Sequence, residues 1–196
     1  MADAAGRILQ AFFTSVDDGL LLLNTEPDLL NARTGLGETP LHYLAVENHM
    51  EAIKALVEKK DADVNTLNDF GGSPISDAAR LGYVDLVKYL LSVGAKLKVP
   101  QQKELVLHAA VRSGSAEMVK VILSAGAAVN DVESLDETAL HVAAEDDQVE
   151  IAQLLLEAGA DLTAKRIFDQ TPLDVAINHG ATRVRDELLK LKSETS

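Results

Sequence analysis

A block of seven residues recurs five times in this chain, and a chain that repeats itself at a fixed spacing builds its core by stacking neighbours rather than around one centre. The blocks are Thr39-Pro40-Leu41-His42-Tyr43-Leu44-Ala45, Ser73-Pro74-Ile75-Ser76-Asp77-Ala78-Ala79, the degenerate Leu105-Val106-Leu107-His108-Ala109-Ala110-Val111, Thr138-Ala139-Leu140-His141-Val142-Ala143-Ala144 and Thr171-Pro172-Leu173-Asp174-Val175-Ala176-Ile177. From one opening residue to the next the steps are 34, 32, 33 and 33 residues. Each block reads as a short helix. Thr39 or Thr138 can cap it, Pro40 or Pro172 occupies a first-turn site where the missing N–H costs nothing, and Leu41, Leu44 and Ala45 mark one face. A second helix follows, with the pattern Leu86, Val87, Leu90, Leu91 repeated at Met118, Val119, Ile122, Leu123 and at Ile151, Ala152, Leu155, Leu156. Asp85, Glu117 and Glu150 stand at its positive end, and Gly94, Gly126 and Gly159 stand just past its last turn, where positive φ is needed.

These residues resemble the ankyrin repeat over roughly residues 34 to 190, including the trailing segments Gly126-Ala127-Ala128-Val129-Asn130 and Gly159-Ala160-Asp161-Leu162-Thr163. The resemblance implies an all-α solenoid of stacked antiparallel helix pairs, with a β-hairpin loop projecting from each junction and a concave face formed by hairpins and first helices. The expected organisation is one domain over 1–196: a cap at 1–33, repeats at 34–67, 68–99, 100–132 and 133–165, a capping repeat at 166–192 and a frayed tail at 193–196. The cap carries two helix patterns, over 4–14 and 16–23, without the repeat block. Arg183, Arg185, Glu187, Lys190 and Lys192 give the last second helix a polar outer surface, as a solenoid end requires.

Two repeats depart from the pattern. The first has Lys59-Lys60-Asp61 and one extra residue where its siblings reach glycine, so its second helix is expected to end differently. The third lacks the Thr-Pro pair and the hairpin glycine, is one residue short and carries Pro100, which predicts a misshapen loop.

The charge balance narrows the function. Eighteen Lys and Arg against 31 Asp and Glu give a net charge of −13, which repels nucleic acid and anionic membrane surfaces. The absence of cysteine removes thiolate metal sites and cysteine nucleophiles, and it fits an expected cytoplasmic setting. His42, His108 and His141 share one repeat position, so they lie about 10 Å apart in a stack, whereas zinc needs ligand nitrogens about 2 Å from one centre. The resemblance implies instead that these rings bond neighbouring loop backbone. No nucleophile elbow, phosphate loop or dinucleotide fingerprint occurs, and neither catalysis, a metal nor a cofactor is expected.

What remains is a surface. Three residues before each block stand Leu36, Phe70, Gln102, Leu135 and Phe168, so four of five loop tips are large and apolar, as binding hot spots are. Residues 131 to 150 hold eight acids and no Lys or Arg, and they read either as a solubility feature or as a patch that steers a basic segment. The expected partner-binding set is Leu36, Glu38, Phe70, Arg80, Leu81, Arg112, Leu135, Glu137, Glu145, Asp146, Phe168 and His179. The chain is therefore expected to act as a monomeric, non-enzymatic protein-binding module, as an inhibitor or adaptor. Two alternatives are a structural spacer and, on the family resemblance, a substrate of an asparaginyl hydroxylase at Asn65 and Asn130.

Overall fold

The computed structural model describes residues 4–194, and the chain divides into two compact units, Met1–Glu104 and Leu105–Ser196. The division falls within the third repeat, the one that lost its Thr-Pro opening.

The first unit begins with helices α1 (Ala4–Thr14) and α2 (Val16–Thr25) and a 3-10 turn at Pro27–Asn31. Two repeats follow, α3 (Pro40–Val46) with α4 (Met50–Lys60), and α5 (Pro74–Arg80) with α6 (Val84–Ser92). The cap buries Ala5, Ile8, Leu9 and Phe12 from α1 and Leu23 from α2, and it packs α1 on α3 and α2 on α4. Helix α2 starts at Ser15, whose hydroxyl accepts from Asp18 N–H, and runs two residues past the expected end. Helix α4 has 11 residues where α6 has nine, and it stops at Asp61, whose φ of 52° supplies the left-handed turn that glycine supplies elsewhere.

The second unit holds α7 (Val106–Arg112), α8 (Ala116–Ser124), α9 (Ala139–Glu145), α10 (Val149–Glu157), α11 (Pro172–His179) and α12 (Thr182–Glu194). First helices pack on first helices, α7 on α9 and α9 on α11, and second helices pack on second helices, α8 on α10 and α10 on α12. Leu140, Ala143, Ala152 and Leu155 are fully buried in this stack. A frayed end was expected from Ser193, but α12 continues to Glu194 and Ser193 Oγ donates to the Lys190 carbonyl at 2.6 Å. Residues 195–196 of that expected tail lie outside the described residues.

The projecting loops are hairpins with little β-pairing. Among the described residues β-pairing is limited to two isolated bridges, Val132 with Thr138 and Arg166 with Gln170. The regular fingers share one backbone bond across a three-residue tip: Thr34 N–H to Glu38 C=O, Asn68 to Gly72, Glu133 to Glu137 and Arg166 to Gln170, at 2.9 to 3.0 Å. In the third finger the donor position is Pro100, which has no N–H, and the loop closes instead from Gln102 N–H to Val99 C=O at 3.2 Å. The expected distortion thus has a single-atom cause.

Candidate partner-binding surface

Three histidines each hold a finger to the helix before it. Thr39 N–H donates to His42 Nδ1 at 3.2 Å, which makes Nε2 the protonated nitrogen, and Nε2 donates to the Gly72 carbonyl of the next finger at 3.2 Å. His141 repeats this between Thr138 and the Gln170 carbonyl, at 3.2 and 3.0 Å. Desolvation pushes His42 down to about 4 and lowers His141 and His108 in the same direction. Each is therefore a neutral structural ring. His108 donates to the Glu137 carbonyl at 2.9 Å, but its buried Nδ1 has no partner, because Leu105 stands where a Thr or Ser would cap. Leu105 N–H turns instead to Glu133 Oε1, at 2.8 Å.

The apolar tips are exposed in both units. In the first, Leu36 is 51% and Phe70 65% accessible; in the second, Leu135 is 61% and Phe168 85% accessible. Their backbones differ. The first-unit fingers put Gly37 and Gly71 in the left-handed region, and a Cβ on Gly37 would come within 2.1 Å of Asp69 Oδ1. The second-unit fingers put Leu135-Asp136 and Phe168-Asp169 there, with φ between 56° and 67°. A left-handed backbone costs a non-glycine residue about 1 kcal/mol, and here large apolar side chains accept that cost while facing solvent.

The charged residues of the expected set are mostly engaged with one another. In the second unit Arg112 meets Glu133 at 2.7 Å and Glu137 at 3.4 Å, and Arg166 meets Glu137 at 2.6 Å and Glu145 at 3.3 Å. His179 ends the row, 3.8 Å from Glu145. The fold thus brings Arg112, Glu137, Glu145 and His179 into one ladder along three repeats. Sequence reasoning missed its other members, Glu133 and Arg166. Both sit at the finger position whose N–H closes the loop, so the repeat register could have paired them. Asp147 lies outside the ladder, holding Arg183 at 2.9 Å and accepting from Val184 N–H, and this lowers its carboxyl below the ordinary range. Asp136 and Asp146 form no ion pair among the described residues.

In the first unit Arg80 is shared by two carboxylates, Asp77 at 2.9 Å and Glu104 at 3.4 Å. Burial pushes Asp77 up to about 6, although Arg80 pulls the other way. Glu38 accepts from Thr34 Oγ1 at 3.0 Å, and Leu81 is exposed at the end of α5. The first unit also exposes Tyr43, an aromatic of the first block that lies off the face marked by Leu41, Leu44 and Ala45.

Asn65 and Asn130 tie one repeat to the next. Asn130 Nδ2 donates to Gly159 C=O at 3.0 Å while its Oδ1 accepts from Asp161 N–H at 2.9 Å, and Asn65 does the same with Gly94 and Lys96. No helix among the described residues is long and apolar enough to cross a membrane.

Comparison with known proteins places these features. The family described as "Ankyrin repeats (3 copies)" matches residues 14–101 and 107–195. The chain is 32% identical to Ankyrin repeat protein nuc-2 of Neurospora crassa over 58% of its length, and 31% identical to human Rabankyrin-5 over 70%. It is 34% identical to the mouse Ankyrin repeat and SOCS box protein 11 over 47% of its length. It spans only 11%, 12% and 28% of those three proteins.

Proposed function

The chain belongs to the ankyrin-repeat family, and from that premise we propose that it is a non-catalytic module that binds another protein through the fingers and first helices of its units. The observation that carries this reading is the exposure of large apolar residues at one repeated loop position, Leu36, Phe70, Leu135 and Phe168. A folding requirement would bury them; contact with a partner buries them on association. A small inhibitor or adaptor, monomeric and cytoplasmic, is the role we favour, in keeping with an acidic chain without cysteine. Steering of a basic segment by the acidic run rests on Asp136 and Asp146, because arginines already neutralise much of the rest.

The reading is tested by replacing Phe70 and Phe168 with Ala. Affinity for a partner retained in a pull-down and identified by mass spectrometry should fall by more than about 2 kcal/mol in total, with the denaturation midpoint nearly unchanged. Unchanged affinity sinks the proposal, and a wild-type chain that retains nothing above bead background favours the spacer. The hydroxylase reading has no observation of its own, since both asparagine side chains are explained by their bonds between repeats.

A further inference from the structure

The two tips of the second unit share more than exposure. Each is a large apolar residue followed by aspartate, Leu135-Asp136 and Phe168-Asp169, and each pair occupies two consecutive left-handed positions. Neighbouring Val132 and Ile167 are also exposed. The fold does not demand this arrangement, because the fingers of the first unit meet their left-handed requirement with glycine. Two features that are separately unfavourable to a free chain, apolar surface in water and a left-handed Leu or Phe, thus coincide at the same two residues. Strain that local packing does not require is a mark of function.

Resting on the reading of the tips as binding residues, we propose that the second unit docks an amphipathic, basic helix of a partner protein. Its apolar side chains cover Leu135 and Phe168, and its lysines or arginines meet Asp136 and Asp169.

Spacing selects the helix. Equivalent positions in stacked repeats are separated by about 10 Å, the usual distance between packed helices. Residues seven apart on an α-helix rise about 10.5 Å and return to the same face. Three residues of an extended strand also cover about 10 Å, but they point to opposite faces, so a strand would present only one anchor. Charge selects the sign. Glu133, Glu137 and Glu145 are held by Arg112 and Arg166, so they contribute little to a partner. Asp136 has no ion pair among the described residues, and Asp169 has only an exposed contact with Lys165 at 3.4 Å. With a net charge of −13 behind them, these aspartates repel an anionic membrane and attract a basic helix.

The test uses the full chain and a fluorescein-labelled helical peptide with leucines seven residues apart, each followed four residues later by lysine, read by fluorescence anisotropy. Two control peptides carry leucines five apart or glutamate for lysine. The protein variant is Leu135→Asn with Phe168→Asn, because asparagine tolerates the left-handed region. The basic seven-spaced peptide should bind the wild-type chain. Affinity should drop about tenfold or more for either control peptide and for the variant, while the variant melts at the same or a higher temperature. No binding of the seven-spaced peptide, equal binding of the glutamate peptide, or preferential binding of the wild-type chain to phosphatidylserine vesicles overturns the inference. If both leucine spacings bind equally and the variant loses both, the helical ruler falls and the tips remain binding residues. If the peptides bind equally to wild type and variant, the reading of the second-unit tips falls as well.

Discussion

At the scale of single residues, the buried histidines set how stability responds to pH. His42 is neutral when folded because burial takes its cation out of water, and protonation of Nδ1 would also set two donors, its own N–H and that of Thr39, against each other. Its folded pKa of about 4 lies below the ordinary 6.5, so the unfolded chain binds more protons between those values. The stability it contributes is complete above 6.5 and is lost as pH falls from 6.5 toward 4, by about 3 kcal/mol at most. His108 and His141 shift in the same direction. Asp77 has the opposite sign: raised from 3.8 to about 6, it disfavours the folded state increasingly as pH climbs through that window, and so offsets part of the histidine effect on acidification. Urea unfolding should therefore show lower stability at pH 5 than at pH 7, and Asp77→Asn, which removes the offset, should steepen the fall. A variant with a shallower pH dependence than wild type would contradict this. The histidine position was legible from the repeat block, whereas the acid at Asp77 gained its meaning only when burial was known.

At the scale of elements, the helix starts were written in the chain. Thr39, Ser73, Thr138 and Thr171 each open a capping box with the residue three positions on. The third repeat shows what happens when that grammar fails. Its N-cap is Leu105, which has no side-chain oxygen, and the Leu105 N–H, whose counterparts donate to the side chain three positions on, donates instead to Glu133, 28 residues away, which also holds Arg112. Two acids three residues apart in the same run therefore have different duties. Glu133→Ala should cost about 1 to 3 kcal/mol in urea unfolding, because it strips the Leu105 N–H of its acceptor and Arg112 of the nearer of its two carboxylates, while Asp136→Asn, which tolerates the same left-handed backbone, should stay within about 0.5 kcal/mol. Equal effects would mean that Glu133 does not anchor the start of α7. The sequence showed an acidic stretch and left solubility and partner steering open; the side-chain contacts assign part of it to internal structure.

At the scale of the whole molecule, the histidines and carboxylates are dispersed along repeats. His42 and His141 use both ring nitrogens internally, so neither has a lone pair to give a metal. Incubation with EDTA should leave the melting temperature unchanged, and a drop on chelation would contradict this. The family, the all-α class, the order of helices and the odd third finger were determined by sequence alone, because they depend on local signals: caps, prolines, glycines and a period near 33 that stacking must obey. Tertiary structure alone decided which charges are spent on one another and which apolar tips stay in water. Glu137 pairs with Arg166 across 29 residues and Phe168 remains exposed. These outcomes depend on distances between residues far apart in the chain, which a one-dimensional pattern does not contain.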